Sequence, residues 1–314
     1  MSGDAVLRAE RLNFWYGKVV ALNDVSLEIG PGVTGILGPN GAGKTSLMRM
    51  AVGLLRPAAG TIRVLGEDPW NNPRFNLRVG YCPEHDGFFE WLTGRAFVRW
   101  LLRVRGFSRA EARRAADAAL ERVSLLEAAD RRVGTYSRGM RQRLKLAQAV
   151  AHGSELLVLD EPLTGTDPLV RRDLIALIAS FVAEGRHVLV SSHVLHEIEA
   201  LTRNIVLVHR GRLVAFGDRG EIRALIDKHP HTVEVRATRA RELAAALVRQ
   251  ESVVEVGIAG AVAGAGPSTI SVRTTAPDAF YSALPRLALE AGCEVEQIAS
   301  PDDDLEAVFR YLTA

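Results

Sequence analysis

The 314-residue chain has only two cysteines, Cys82 and Cys293. They stand far apart and at no metal-ligand spacing, which fits a reducing compartment and argues against a disulfide framework. No stretch approaches the ~18 uninterrupted apolar residues that a membrane-crossing helix needs. If a membrane is involved, another chain must supply it. The first residues carry Asp4, Arg8, Glu10 and Arg11 rather than an apolar run of signal-peptide type. Net charge is only +2, so bulk charge makes no case for nucleic acid or an anionic membrane. Internal repeats and sustained heptads are missing too. Hydrophobic residues at 47% and charged residues at 24% make an ordinary globular balance, and the length predicts about two domains with sizeable cores.

What is present is concentrated in one stretch, Gly38-Pro39-Asn40-Gly41-Ala42-Gly43-Lys44-Thr45. An apolar run, Val33–Leu37, precedes it as a buried strand, and Ser46-Leu47-Met48 opens a helix. Strand, glycine-rich turn, Lys-Thr and helix is the arrangement that cradles phosphates. The glycines let backbone N–H groups approach phosphate oxygens, and the helix points its positive end at the same anion. Lys44 can reach the β- and γ-phosphates, and the Thr45 hydroxyl can ligate Mg²⁺. A plain surface turn would need none of this strand-to-helix context, so the stretch predicts nucleoside triphosphate binding.

In chain order, Val6–Glu10 and Ala21–Ile29 alternate apolar and polar residues and predict half-exposed strands. Phe14-Trp15-Tyr16 between them suits either stacking on a base or ordinary edge-strand packing. Strands are predicted at Thr61–Leu65 and Leu77–Cys82, the second stopped by Pro83. A helical pattern runs from Thr93 to about Leu126, broken at Gly106 and capped again by Ser108. Its arginines (Arg95, Arg99, Arg103, Arg105, Arg109, Arg113, Arg114) are interleaved with Glu111, Asp117 and Glu121, which favours a solvated face over a nucleic-acid face. A small-residue loop, Val133–Met140, opens a helix through about Ala151. Leu156–Leu159 then reads as a strand buried on both faces, with Asp160-Glu161 at its carboxyl end, where an open α/β sheet places ligand chemistry. Asp167-Pro168 starts another helix. His187–Ser192 is a further buried strand with His193 past its end, a place where a lone histidine is usually a loop residue. Ile205–Val208 and Arg212–Gly217 form a hairpin.

Composition shifts near Asp227–His231, which predicts a first domain over 1–226, with a helical subdomain at about 90–150, and a second over 231–314. In the second, strand (232–237), helix (239–250), strand (253–258), an Ala/Gly loop (259–267), strand (268–273), helix (278–291), strand (294–298) and a short helix (303–312) give a βαββαβ order of ferredoxin-like type. No chemistry is evident in it, and a structural or regulatory role is expected.

The phosphate loop, the Asp160-Glu161 pair and His193 occur in that order, with Tyr136-Ser137-Arg138-Gly139-Met140-Arg141-Gln142 between the first two. Over residues 5 to 225 the chain resembles the ATP-binding-cassette (ABC) ATPases. Gly80–Asp86, Leu92-Thr93-Gly94, the Tyr136–Leu144 segment and the end Leu305–Leu312 resemble the ABC-2-type branch, which includes drug, lipid and polysaccharide exporters. The resemblance implies an α/β P-loop NTPase core with a helical subdomain, and ATP and Mg²⁺ as cofactors. It implies that Tyr16 stacks on adenine and that Gly38, Pro39, Asn40, Gly41, Ala42, Gly43, Lys44, Thr45 and Ser46 hold the phosphates. Asp160 and Thr45 would hold Mg²⁺, Glu161 would act as base or water positioner, and His193 would contact the γ-phosphate. Ser137 and Gly139 would meet the ATP of a second cassette, a homodimer being expected, and Asp167 would couple the two sites.

The resemblance further implies a separate transmembrane permease, a position on the cytoplasmic face of the cell membrane, and no nucleic-acid partner. A soluble ABC ATPase acting on ribosomes or nucleic acid is the alternative, for which the paired cassettes or long coiled-coil insertion are lacking. The chain departs from the pattern at Glu84, where glutamine is usual near Mg²⁺, and at Arg138 and Met140 within a segment that usually reads Ser-Gly-Gly-Gln. Thr166 replaces a more usual leucine, and little is expected of that. Glu84 can still bind Mg²⁺ or its waters, and Arg138 would compensate its charge near the partner's nucleotide.

Overall fold

The computed structural model describes residues 5–218, 220–221, 231–259 and 267–300. The short helix expected over 303–312 and most of the Ala/Gly loop lie outside them. The chain forms two compact units, Met1–Arg219 and Gly220–Ala314.

The first unit opens with β1 (Leu7–Tyr16) and β2 (Val19–Ile29). Leu7, Ala9 and Leu12, and Val25, Leu27 and Ile29, are buried, while Arg8, Glu10, Ser26 and Glu28 face solvent. β1 runs further than the alternation at Val6–Glu10 predicts. It continues through Phe14-Trp15-Tyr16 and turns at Gly17-Lys18 into β2, with Tyr16 paired to Val19. After β3 (Val33–Leu37) and α1 (Lys44–Ala51), β4 (Ala59–Val64) returns to β1, giving an antiparallel sheet ordered β2-β1-β4. Leu47, Met48, Met50 and Ala51 of α1 join the core that this sheet shares with Ile36, Val158 and Val206.

The second sheet comprises β5 (Val79–Cys82), β6 (Leu156–Leu159), β7 (His187–Ser192), β8 (Asn204–His209), β9 (Arg212–Asp218) and β3, in the order β5-β6-β7-β3-β8-β9. All neighbours are parallel except the β8–β9 hairpin. All four residues of β6 are buried, as a strand covered on both faces requires. β6, β7 and β3 are adjacent, so the segments after their carboxyl ends meet: Asp160-Glu161, His193 and the glycine-rich loop.

Between β5 and β6 lie α2 (Gly94–Val104), α3 (Arg109–Arg122) and α4 (Arg138–Val150). The break at Gly106 and the cap at Ser108 fall where predicted. The Ser108 hydroxyl accepts from Glu111 N–H while the Glu111 carboxylate accepts from Ser108 N–H, a closed capping box. α5 (Pro168–Ala183) starts on Asp167, whose carboxylate accepts from Leu169 and Val170 N–H. A short α6 (Leu195–Glu199) follows His193; sequence periodicity cannot find a helix of so few residues.

The second unit is β10 (His231–Ala237), α7 (Ala240–Leu247), β11 (Val253–Ala259), β12 (Ser268–Thr274), α8 (Pro277–Glu290) and β13 (Val295–Ala299). Its sheet order, β11-β12-β10-β13 with antiparallel neighbours, is the ferredoxin-like βαββαβ arrangement. Val233, Val235, Ile270 and Val272 pack on Leu243, Leu247, Phe280 and Leu284.

Candidate active site

The loop after β3 takes its shape from glycine. Gly43 has φ 106°, a left-handed conformation, and a Cβ there would lie 2.5 Å from the Ala21 carbonyl. That geometry sets the first turn of α1, where Lys44 and Ser46 are buried. Tyr16, Asn40, Gly41, Ala42, Gly43, Lys44, Thr45, Ser46, Glu84 and Glu161 all line one cavity of about 380 Å³. Gly38 and Pro39 shape it through their carbonyls, which accept from Lys44 Nζ at 2.6 and 3.3 Å. Tyr16 is half exposed at the cavity and packs edge-on against Phe14 at 5.0 Å. Of the three aromatics, Phe14 therefore serves the core and Tyr16 is free to meet a ligand.

Asp160 and Glu161 are both buried. Glu161 has φ 49°, uncommon for a side chain of its kind. Ser191 on β7 fixes that turn: its hydroxyl accepts from the Glu161 N–H at 2.9 Å and donates to Asp160 Oδ1 at 2.8 Å. Asp160 Oδ2 is buried with no partner. Around the Glu161 carboxylate, Lys44 Nζ lies 3.1 Å from Oε1, and the Thr164 hydroxyl donates to Oε2 at 2.8 Å. His193 Nδ1 lies 2.9 Å from the same Oε2. Burial alone would push the Glu161 pKa up. The charge of Lys44, with the Thr164 and Lys44 hydrogen bonds and His193, outweighs it and holds the carboxyl below its usual range. Glu161 is thus ionised near neutrality, and His193 presents its Nδ1 proton to it.

The residues present fit a hard cation. Asp160 Oδ2 is an orphaned buried carboxylate oxygen, and the Thr45 hydroxyl and Glu84 carboxylate belong to the adjoining cavity. Among the described residues no cluster of three or more His, Cys, Asp or Glu could hold a metal unaided.

Ser137, Gly139 and Asp167 do not line that cavity. They form a second group. Ser137 caps α4 by accepting from Met140 N–H, Asp167 caps α5, and Gly139 lies against Val170 of α5. Arg138 lies over Gly165, where a side chain would collide with its guanidinium. Arg138 and Glu84 face one cavity of about 510 Å³ within the same chain, with Asp86, Arg141, Lys145 and Glu161. Glu84 and Glu161 border both cavities. Thr166, which replaces the usual leucine, donates its hydroxyl to the Leu163 carbonyl at 2.6 Å.

Three functional candidates escape sequence reading. Ser191 signals itself only as a polar residue next to the end of a buried strand. Lys145, 2% exposed on α4, donates to the Pro83 and Glu84 carbonyls at 3.1 and 2.8 Å and lies 3.3 Å from Asp86. One turn earlier, Arg141 holds Asp86 and Glu90. Together these cations bind the helix that Ser137 begins to the loop that carries Glu84. Glu197 of α6, buried, accepts from the Ser192 hydroxyl at 2.7 Å and pairs with Arg171 of α5 at 3.2 Å.

The family model for ABC transporters matches residues 22–164. The daunorubicin resistance ATP-binding protein DrrA3 of Streptomyces coeruleorubidus is 35% identical over 300 residues, covering 95% of this chain and 92% of that protein. The Nod factor export ATP-binding protein I of Cupriavidus metallidurans is 35% identical over 220 residues, 69% of this chain and 73% of that protein. A solved structure described as the ATP binding subunit of an ABC transporter superposes with a TM-score of 0.62 at 28% identity, covering 70% of this chain and 92% of that one.

Proposed function

The chain belongs to the ABC transporter ATP-binding family, and from that premise we propose that it is the ATP-hydrolysing subunit of an ABC-2-type exporter, working with a separate membrane-spanning permease at the cytoplasmic face of the cell membrane. The observation that carries this is the span of the likeness to DrrA3, a drug-resistance ATP-binding protein. It extends over 95% of this chain, well beyond the cassette that most ABC ATPases share. Among the described residues no helix is long and apolar enough to cross a membrane, in keeping with a second, membrane-spanning chain. The cargo is of the drug, lipid or polysaccharide kind. An ABC ATPase acting on ribosomes or nucleic acid draws no support from the named relatives.

In this proposal Tyr16 stacks on adenine, and the N–H groups of Gly41–Thr45 with Lys44 bind the phosphates. Magnesium, when bound, would screen the charge of the β- and γ-phosphates, held by Thr45, Asp160 and Glu84 directly or through water. Glu161, ionised and aimed by Ser191, Thr164 and His193, accepts the proton of the attacking water. His193 moves from Glu161 to the γ-phosphate. The catalysis is positioning and charge complementarity rather than covalent chemistry. Ser137, Gly139 and Asp167 stand apart from this chain's own cavity and serve the nucleotide of a second cassette, most simply a second copy.

Co-purification tests the assignment. A tagged Glu161→Gln chain held in ATP should bring down a multi-span membrane protein in stoichiometric amount from detergent-solubilised membranes. Recovery of ribosomes or nucleic acid, with the chain absent from membranes, would overturn it.

A further inference from the structure

The arginines between Arg95 and Arg114 do not share one fate. Arg95 is spent on Asp117 and Asp130, and Arg105 is buried enough to hold its pKa below the usual arginine value. Arg99, Arg103 and Arg109 instead converge on a cavity of about 410 Å³, which Ala96, Trp100 and Ala112 complete. Ala96, Arg99, Trp100 and Arg103 recur at three- and four-residue spacing and so form one face of α2. Arg109 and Ala112 come from the first turn of α3. The two alanines leave the room, and the three arginines border it.

Among the described residues, Arg99 and Arg109 make no ion pair or side-chain hydrogen bond, and Arg103 donates only to the Phe107 carbonyl. No carboxylate lines the cavity. The nearby acids are engaged elsewhere, Asp117 by Arg95 and Glu111 by the Ser108 cap. Uncompensated guanidinium groups around a small concavity suit a phosphate, which arginine binds with paired donors. Beside it lies an aromatic patch. Trp100 stacks edge-on against Phe89 at 5.3 Å, and Phe89 meets Trp91 at 6.0 Å. Trp91 is 70% exposed and the other two about half as much or more. A free inorganic anion has no use for exposed tryptophans, whereas a bilayer interface does.

We propose that the Arg99–Arg103–Arg109 cavity binds the phosphate of an anionic phospholipid headgroup, with Trp100 and Trp91 settling at the interfacial level of the same leaflet. The site lies outside the nucleotide cavity and does not rest on the exporter assignment. It is local, which is why a net charge of +2 gives no hint of it.

The test uses the full chain, without ATP or a membrane subunit, sedimented with phosphatidylcholine vesicles with or without phosphatidylglycerol. Binding should require the anionic lipid and shift tryptophan emission to the blue. The triple variant Arg99→Gln/Arg103→Gln/Arg109→Gln should bind about a hundredfold more weakly, at roughly fivefold per lost charge near an anionic surface. Its thermal unfolding should stay close to the parent's, since among these side chains only Arg103 makes a hydrogen bond, to the Phe107 carbonyl. Arg56→Gln/Arg113→Gln/Arg114→Gln removes the same charge elsewhere and should bind nearly as well as the parent. Equal loss in both triples would overturn the site in favour of diffuse attraction. Saturation by inorganic phosphate with no vesicle binding would overturn it in favour of a small-anion site. Binding of an oligonucleotide but not of vesicles would assign the face to nucleic acid instead.

Discussion

Lys44 Nζ lies 3.1 Å from Glu161 Oε1 and donates to the Gly38 carbonyl at 2.6 Å. The cation expected on the phosphates is thus folded back onto the carboxylate expected to activate water. Each side chain is about 5% exposed, so each compensates the other's buried charge. In the proposed mechanism ATP draws Lys44 away before Glu161 acts on water. Glu161→Gln removes the competing charge and should bind ATP several-fold more tightly than the parent chain, as read by equilibrium titration with a fluorescent ATP analogue. Unchanged or weaker affinity would mean that the pair does not restrain Lys44.

Ser191 ties the two acidic residues together. Ser191→Ala leaves the Glu161 N–H and one Asp160 oxygen unpaired in a buried place, which costs on the order of 1–3 kcal/mol for each group left unsatisfied. The variant should unfold at lower denaturant concentration and require more Mg²⁺ for half-maximal hydrolysis. Ser191→Thr, which keeps the hydroxyl, should recover both.

Lys145 binds the Glu84 loop to α4 without lining the nucleotide cavity. Lys145→Met strands two carbonyls and should cost about 2–4 kcal/mol. ATP affinity should stay within about twofold of the parent value while hydrolysis falls by about tenfold. Lys145→Arg should restore part of the rate. Loss of ATP affinity in step with hydrolysis would show that the helix positions the phosphate loop instead.

His152 should make the first unit acid-sensitive. Burial, aided by Arg105 and Arg186, pushes its pKa down to about 4, against a usual value of 6.5. Below pH 6.5 the unfolded chain takes up a proton that the folded chain refuses, so this stabilisation is whole above pH 6.5 and is lost as pH falls towards 4. At about 1.4 kcal/mol per unit the loss reaches about 3 kcal/mol at the acid end. All four tryptophans, Trp15, Trp70, Trp91 and Trp100, lie in the first unit, so their fluorescence reports its unfolding alone. His152→Gln can still donate to the Val79 carbonyl that His152 Nε2 meets at 3.1 Å. It should flatten the dependence of urea midpoint on pH between 6.5 and 4.

Local chemistry was the legible part. Gly38–Ser46 declare a phosphate loop because the turn, the lysine and the helix start are consecutive. The buried β6 and the Ser108 cap were equally readable from their own neighbours. Contacts between distant segments were not. Lys44 on Glu161, Ser191 under Asp160, and Lys145 on the Glu84 loop depend on which strands and helices become adjacent. No periodicity records that choice. The arginines of α2 and α3 are the clearest case. Interleaved acids predict a solvated face, and Arg95 obeys, but the helix geometry collects Arg99, Arg103 and Arg109 on a cavity that no carboxylate of the described residues lines.

Phosphate release tests most directly whether Glu161 activates water for ATP hydrolysis. The purified chain with ATP and Mg²⁺ should liberate phosphate, and Glu161→Gln should retain ATP while releasing phosphate at least about tenfold more slowly. Full-rate release by Glu161→Gln would contradict the assignment and leave the buried carboxylate as no more than the resting counterion of Lys44.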